Sequence, residues 1–269
     1  YVEIYGVSNV KVDGVVEIPD TLEGYPVTNI SSEAFDGNSR IKSIVIPKTV
    51  NYISRYAFSY CSDLIEIVVD TANERYASED GVLFNKDKTE LIAYPNEKSD
   101  VSYDIPDGVT EIGNYAFYDC DNLENINIPE GVTYIGYEAF YDCDNLENIN
   151  IPEGVTEISD YAFEDCEELS EITLPESITK IGADAFRYTG CYYDDDNWED
   201  GCLYIGEYLV CNKDYIIDDV FCDSVKIKDG TKLIADGTFR SNEYITEITL
   251  PASITHIGDN AFRNCDSLE

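Results

Sequence analysis

Basic residues are scarce in this sequence. Its 269 residues include 17 Lys and Arg against 55 Asp and Glu, which gives a formal net charge of −38. Proteins that bind nucleic acid or an anionic membrane surface use Lys and Arg to neutralise phosphates, so neither kind of partner is expected. A negative charge of this size keeps a protein soluble and raises the local concentration of cations.

Catalytic signatures and long apolar runs are also missing. The sequence has no G-x-S-x-G, H-E-x-x-H or phosphate-loop pattern, so enzymatic activity is not predicted. No signal peptide and no membrane-inserting stretch are predicted from these residues. It starts without Met and stops inside a repeat, so we expect a fragment or a processed form.

What the sequence does contain is a unit that recurs every 23 residues. The clearest copies fill residues 105–190. Two positions mark each copy: Pro106, Pro129, Pro152 and Pro175, then Phe117, Phe140, Phe163 and Phe186. A fixed period in this range is typical of a solenoid, in which each repeat buries its apolar side against its neighbours. Further Phe-marked copies on both sides predict one elongated solenoid over residues 1–269.

Within one repeat, the run Leu123-x-x-Ile126-x-Ile128 has the alternation of a short strand with one buried face. Pro129 cannot donate to a continuing ladder, so we expect it to end this strand. A second extended piece is predicted on the opposite side of the coil. The short segment before Cys120 indicates a helical or 3₁₀ turn, with Phe117 in the core.

This unit resembles a known family. The strand run resembles the L-x-x-L-x-L core of leucine-rich repeats. The full pattern I-P-x-x-V-x-x-I-x-x-x-A-F-x-x-C-x-x-L-x-x-I resembles the BspA-type (Treponema-type) leucine-rich repeats of bacterial surface proteins. Gly131 occupies the place of the usual Asn or Cys, and the Cys precedes the strand instead. The resemblance implies a mostly-β solenoid with short helical or 3₁₀ turns, and an extracellular or cell-surface role in adhesion.

Three segments depart from the period. Residues 1–17 alternate apolar and polar around Asp13-Gly14, which predicts a β-cap. Residues 70–104 are predicted to hold a β-hairpin with arms at 82–84 and 91–93. Residues 191–224 are predicted to hold a second hairpin that turns at Gly206-Glu207.

The nine Cys residues fall into two groups. One group follows the repeat Phe by three residues and is predicted to form a ladder of small buried thiols: Cys61, Cys120, Cys143, Cys166 and Cys265. The other group lies only in the second insertion. Counting outwards from its turn places Cys202 opposite Cys211, so either a cross-strand disulfide or free thiols are expected. A four-Cys zinc site lacks the required short spacing.

Carboxylates are abundant enough to consider a metal. Asp119, Asp142 and Asp165 stack at one repeat position, where solvated ladders and weak Ca²⁺ bridging are the two interpretations. Asp194, Asp195 and Asp196 form the other candidate Ca²⁺ site, although Trp198 stands where an EF-hand would have its third oxygen ligand. No other cofactor is predicted. The single His256 is predicted to be a solvated surface residue.

Two surfaces are candidates for binding a partner. The first is the outward side of the strands, which carries Asn125, Asn127, Asn148, Asn150, Glu171 and Thr173. The second is the irregular segment with Tyr192, Tyr193 and Trp198. Adhesion to a protein or host-matrix ligand is the leading hypothesis. A carbohydrate-binding or substrate-docking module, with these aromatic rings stacking on sugars, is the alternative, and a Ca²⁺-stabilised structural spacer is the third.

Overall fold

The computed structural model describes residues 2–4, 14–32, 34–35, 38, 40–59, 61–212, 216–217, 220–221 and 223–269. Nearly all regular structure in these residues is short β-strand. The strands are β1 (Val2–Ile4), β2 (Gly14–Glu17), β3 (Thr21–Leu22), β4 (Tyr25–Ile30), β5 (Ile41–Ile46), β6 (Tyr52–Ile53), β7 (Glu66–Val69), β8 (Tyr76–Glu79), β9 (Val82–Asn85), β10 (Glu90–Ala93), β11 (Ser102–Asp104), β12 (Glu111–Ile112), β13 (Asn125–Asn127), β14 (Tyr134–Ile135), β15 (Asn148–Asn150), β16 (Glu157–Ile158), β17 (Lys180–Ile181), β18 (Trp198–Glu199), β19 (Cys202–Ile205), β20 (Tyr208–Asn212), β21 (Ile216–Ile217), β22 (Val220–Phe221), β23 (Ser224–Lys226), β24 (Leu233–Ile234), β25 (Glu247–Thr249) and β26 (His256–Ile257).

The coils stack through two columns of parallel strands, which confirms the predicted mostly-β solenoid. In the column that we call the first face, β11, β13 and β15 pair with Asn125 opposite Asn148 and Ile126 opposite Ile149. In the second column, β12, β14, β16 and β17 pair in the same 23-residue register. The predicted alternation is also confirmed, because Ile126 is buried while Asn127 is exposed.

A third side of the coil, which we call the turn side, joins the second column back to the first. Its turns close through i to i+3 bonds, as from Ala116 N to Gly113 O. They do not continue as helix because Tyr115 and Asp119, two residues before and after Phe117, have φ of 61° and 57°. The residues of positive φ turn the backbone so that every second N–H between Tyr115 and Asp119 donates to a carbonyl of the next coil. The turn side is thus a third hydrogen-bonded column.

The repeat Phe rings fill the centre of the stack. Phe117, Phe140, Phe163 and Phe186 lie in nearly parallel planes, with ring centroids 4.9, 5.0 and 5.3 Å apart. All four are fully buried, as is each Ala that precedes them. Burial of one such ring contributes about 1.5–3 kcal/mol, so the ring column is a main source of stability.

The first insertion forms a meander on the stack. Its predicted hairpin is confirmed, because β9 and β10 pair with Leu91 opposite Phe84. A further strand, β8, pairs with β9, and β10 joins the second column beside β12. Tyr94, just after β10, stacks on Phe117 at 5.2 Å and continues the ring column. The insertion ends earlier than residue 104, because β11 is already a strand of the first face.

The second insertion repeats this design. The predicted turn at Gly206 is confirmed, with Ile205 opposite Tyr208 in β19 and β20. Asp200-Gly201 joins β18 to β19 with positive φ at both residues, as Asp80-Gly81 joins β8 to β9. Such Asp-Gly pairs are typical of two-residue hairpin turns. Here too the insertion ends before its predicted boundary at 224, where β23 begins on the first face.

The N-terminal strands form two further sets of parallel strands, separate from the columns described above. β1 pairs in parallel with β4, and β2 pairs in parallel with β5. The first arm of the cap expected around Asp13-Gly14 lies outside the described residues. No helix in the described part of the chain is long and apolar enough to cross a membrane.

Candidate functional site

The first face presents the predicted asparagine rows as a polar sheet. Asn127, Asn148 and Asn150 are exposed, and Asn125 is half-buried. The Asn148 side-chain amide donates to Asn125 Oδ1 at 3.1 Å. Glu171 and Thr173 are exposed on the next coil, in a segment without strand pairing. Five of the six predicted side chains therefore lie exposed on three successive coils, and the sixth is half-buried beside them.

The second predicted surface has a different character, because two of its three rings are engaged internally. Trp198 is half-buried, and its indole N–H donates to the Tyr192 carbonyl at 2.7 Å. The Trp198 and Tyr192 rings meet edge to face at 5.1 Å. Tyr193 alone of the three is well exposed, at 59% of its surface. The residues are brought together as predicted, but as a packed cluster with one open ring.

Local capping explains this cluster. Thr189 occupies the position that holds Cys in the regular repeats, and it begins a short helix, α1 (Gly190–Tyr193), by accepting from Tyr192 N–H. The same hydroxyl donates to the Phe186 carbonyl at 2.9 Å. Thr189 is fully buried, so this pair of bonds satisfies a polar group that would otherwise be costly.

The acidic run of residues 194–196 forms the start of a 3₁₀ turn. Asp194 Oδ1 accepts from Asp196 N–H at 3.0 Å and caps a 3₁₀ turn, Asp195–Asn197, whose successive side chains point about 120° apart. Among the described residues, no group of three or more His, Cys, Asp or Glu is placed to hold a metal ion. The structure thus shows Asp194 as the cap of this turn, and the Ca²⁺ site expected from Asp194, Asp195 and Asp196 stays a prediction.

The prediction that Cys202 lies opposite Cys211 in the second hairpin is wrong. Cys202 lies opposite Asn212 and Cys211 opposite Leu203, because the pairing shifts between Leu203 and Tyr204. Cys202 is buried with the C-terminal cluster, whereas Cys211 packs against the central one. A bulge of one residue sends every following side chain to the other face, which counting from the turn cannot reveal.

Four of the five repeat cysteines are buried as predicted. Cys61, Cys120, Cys143 and Cys166 are fully buried, whereas Cys265 is half-buried. Burial raises the pKa of the Cys120 and Cys166 thiols well above the usual range. These thiols are therefore structural groups of the core.

His256 is exposed, as predicted. Its Nδ1 lies 2.9 Å from Thr255 Oγ1, but that hydroxyl donates to the Lys232 carbonyl, as other threonines in the same column do in their coils. The contact belongs to the hydrogen-bond ladder of the second column. It does not resemble an activated nucleophile, in which a base takes the hydroxyl proton.

The turn side carries a surface that the sequence analysis did not single out. Six tyrosines in neighbouring coils meet ring to ring, and we call them the tyrosine ribbon: Tyr56, Tyr115, Tyr118, Tyr137, Tyr141 and Tyr161. Their recurrence two or three residues before the repeat Phe, or one residue after it, was the signal available in the sequence.

Ring contacts run along the ribbon from coil to coil. Tyr56 lies 4.5 Å from Tyr115, Tyr115 lies 5.5 Å from Tyr137, and Tyr137 lies 5.6 Å from Tyr161. In a parallel row, Tyr118 and Tyr141 stack at 5.3 Å. The rings therefore form a continuous aromatic strip across four coils.

Carboxylates flank this strip. Burial, followed by the neighbouring Asp165 and Asp184, raises the pKa of Glu164 to about 7. Burial, followed by neighbouring aspartates, raises the pKa of Asp142 to about 6. The pKa of Glu138 is also raised by burial, although a hydrogen bond with Tyr137 opposes the shift. Crowded, half-buried anions on an aromatic strip form an environment that favours cations.

A polar cleft lies beyond the C-terminal end of the ribbon. It has a volume of about 200 Å³ and is lined by Tyr161, Asp184, Arg187, Tyr192, Asn212 and Arg240, among others. Asn212, the last residue of β20, lies at the position equivalent to Tyr94 after β10, so a polar side chain stands where the first insertion supplies a ring. The cleft therefore arises from a missing ring in the core column.

Comparison with known proteins agrees with this fold. No curated protein matches the chain. The structure of the pneumococcal vaccine antigen PcpA is similar, with 25% identity, a TM-score of 0.59, and coverage of 89% of this chain and 50% of PcpA. A leucine-rich repeat protein from Eubacterium ventriosum is 25% identical, with a TM-score of 0.57 over 95% of this chain and 59% of that protein.

The chain thus spans between half and three fifths of these two proteins. The family described as BspA type leucine rich repeat region matches in six copies over residues 16–102, 92–217 and 212–269. The matches cover nearly the whole sequence and agree with the repeat that its residues indicate. The chain belongs to the BspA-type leucine-rich repeat family.

Proposed function

We propose that this chain is a non-catalytic interaction module of a bacterial surface or extracellular protein, and that it binds a protein or host-matrix ligand in adhesion. Membership of the BspA-type family supports a protein-binding role. A similar structure is that of a pneumococcal vaccine antigen, which supports an exposed location. In this proposal, the chain presents a rigid surface of repeated side chains to ligands outside the cell.

The exposed asparagine rows of the first face carry this proposal. Asn127 and Asn150 are open to solvent at the same position of paired strands, and Asn125 and Asn148 form a second row beside them. Asparagine side chains both donate and accept hydrogen bonds, so a flat row of them suits polar recognition of another protein. Exposed asparagine is disfavoured in strands, so local stability does not account for its repetition here.

Substitutions on two sides of the same coils would test the proposal. The double variant Asn127→Arg/Asn150→Arg places bulk and positive charge on the first face, and we expect it to abolish binding to the matrix proteins that the native chain captures. Thr133→Arg/Thr156→Arg makes the same charge change at exposed positions of the second column and serves as the matched control. Surface plasmon resonance on immobilised collagen, laminin, fibronectin and fibrinogen would measure both.

The outcomes separate the functional hypotheses. Equal loss of binding in both variants would contradict a role for the first face and would indicate a charge effect. Binding on a glycan array, lost in Tyr193→Ala, would favour the carbohydrate-binding alternative instead. No binding to any protein or glycan would contradict adhesion and leave the structural spacer as the better explanation.

A further inference from the structure

We propose that the tyrosine ribbon is a second binding surface, and that it takes a Lys- and Arg-rich segment of a partner protein. The ribbon lies on the turn side, away from the asparagine rows, and the proposal does not depend on what the first face binds. It rests on ring geometry, on the distribution of charge, and on the way the ribbon ends.

The rings supply the first argument. Tyr56 is 44% exposed, and Tyr137, Tyr141 and Tyr161 are half-buried, so one part of each ring is packed against a neighbour and another part is open. Lys and Arg side chains are attracted to tyrosine rings when the cation lies within about 6 Å of the ring centroid. This chain already uses that contact elsewhere, since the Arg187 guanidinium lies 4.6 Å from the centroid of Tyr188.

Charge supplies the second argument. The sequence from Ser99 to Thr179 contains 21 Asp and Glu and no Lys, Arg or His. Three carboxylates of this stretch, on Glu138, Asp142 and Glu164, are half-buried beside the ribbon. No cation within the stretch can balance them, so a partner with regularly spaced cations would relieve repulsion and gain ring contacts together.

The ends of the ribbon supply the third argument. Arg55 precedes Tyr56 at the N-terminal end, and at the C-terminal end Arg240 lies close enough to oppose the rise that burial causes in the pKa of Tyr161. Between these two arginines, the ribbon presents tyrosine rings and carboxylates, and Arg187 beside Glu164 partly offsets their negative charge near the C-terminal end. The surface that favours a cationic segment is thus limited to the coils of residues 115–165.

A polypeptide fits this surface better than a small cation. The ribbon extends across four coils at about 4.8 Å each, so a flexible chain can place several cations on successive coils. The described residues offer no cluster that would hold a metal ion. Multiple weak contacts along one chain add up to useful affinity, whereas a single ammonium group at an exposed ring gains little.

Fluorescence polarisation with a labelled oligo-arginine peptide would test the proposal, with an oligo-glutamate peptide as the negative probe. We expect the double variant Tyr137→Leu/Tyr161→Leu to weaken oligo-arginine binding about fivefold, because it keeps charge and apolar bulk but removes two π faces. Circular dichroism and the unfolding temperature would establish that the variant is folded. Unchanged affinity in a folded variant would overturn the role of the rings.

A charge-matched pair separates the ribbon from the general acidity of the molecule. At about pH 9, above the raised pKa of Glu164, Glu138→Gln/Glu164→Gln and Glu124→Gln/Glu147→Gln remove the same charge. Glu124 and Glu147, however, are exposed on the other side of the coils, next to β13 and β15. We expect the first pair to weaken binding several-fold more than the second. Equal effects would show non-specific attraction and overturn the proposal. Spermine competition as strong per charge as oligo-arginine would also overturn it, because a polypeptide would then have no advantage.

The asparagine variant of the first face tests whether the two surfaces bind independently. Asn127→Arg/Asn150→Arg is expected to bind oligo-arginine at least half as well as the native chain, since its substitutions lie on the first face. Loss of matrix binding in that variant, with oligo-arginine binding retained, would show two independent surfaces. Loss of both would contradict the separation proposed here.

Discussion

The thiol of Cys143 donates a hydrogen bond of 3.0 Å to the backbone carbonyl of Phe117, 26 residues earlier in the chain. The same bond joins Cys61 to Phe35 and Cys166 to Phe140. Each cysteine therefore ties its coil to the preceding one at the centre of the stack. A small side chain with a weak donor suits this position, because a larger one would displace the Phe column.

Replacement of this thiol should destabilise the solenoid. We expect Cys143→Ala to lower the free energy of unfolding by about 1–3 kcal/mol, from the small cavity and the lost bond to the buried carbonyl. Urea unfolding followed by circular dichroism would measure it. Cys265→Ala is the matched control, since Cys265 makes the same bond to Phe239 but is only half-buried in the last coil. An equal effect at both sites would contradict the importance of burial.

The cap at Thr189 should be as sensitive as the cysteine ladder. Thr189→Val keeps the shape of the side chain but removes the bonds to Phe186 O and Tyr192 N. We expect a loss of about 1–3 kcal/mol, because both partners are then left without this hydroxyl. Thr179→Val removes an exposed bond to Thr156 O and should change stability by less than about 0.5 kcal/mol. If Thr189→Val is neutral, the hydroxyl does not stabilise the start of α1.

The crowded carboxylates of the turn side should make stability depend on pH. Glu164 and Asp142 have pKa values of about 7 and about 6 in the folded protein, above the unfolded values of about 4.3 and 3.9. The folded state therefore binds more protons than the unfolded state between about pH 4 and 7, and stability falls as the pH rises through this window. We expect a higher unfolding temperature at about pH 5 than at about pH 8.

One variant isolates this effect. Glu164→Gln should raise the unfolding temperature at the higher pH and change it little at the lower one, where the native carboxyl is already protonated. Glu168→Gln removes the same charge from an exposed position of the same coil and should have a smaller effect. Identical pH profiles of the native chain and Glu164→Gln would contradict the assignment.

Calcium should not stabilise the fold specifically. Asp194 is engaged as a cap, and the described carboxylates form no cluster that would hold a metal ion. We expect the unfolding temperature in millimolar Ca²⁺ to match that in Mg²⁺ at equal ionic strength, and EDTA to have no effect. A rise of many degrees with Ca²⁺ alone, abolished by Asp196→Asn, would contradict this expectation and restore the Ca²⁺-stabilised spacer as a hypothesis.

Much of the fold followed from the period. Leu123, Ile126 and Ile128 predicted a strand with one buried side, and the structure places Asn127 outside and Ile126 inside. The hairpin arms at 82–84 and 91–93 were found from apolar runs between turn residues. These features are local, so spacing along the chain was sufficient to predict them.

The candidate sites were harder to predict, because they depend on contacts between distant residues. The sequence presents Trp198 as a ring available for stacking on a ligand, whereas in the structure its indole N–H donates to the Tyr192 carbonyl. The tyrosine ribbon was overlooked because its members occupy different repeat positions and meet only when coils stack. Composition showed that Tyr is abundant, but not that six of the rings touch.

The sequence by itself determined the family, the 23-residue coil, and which residues enter the core, because each repeat must bury the same apolar positions against its neighbours. Only the tertiary structure decided which polar and aromatic side chains remain available. That outcome depends on a one-residue bulge in β20, on the residues of positive φ that flank Phe117, Phe140, Phe163 and Phe186, and on the cap at Thr189. Each of these depends on contacts between coils, which no pattern within a single repeat contains.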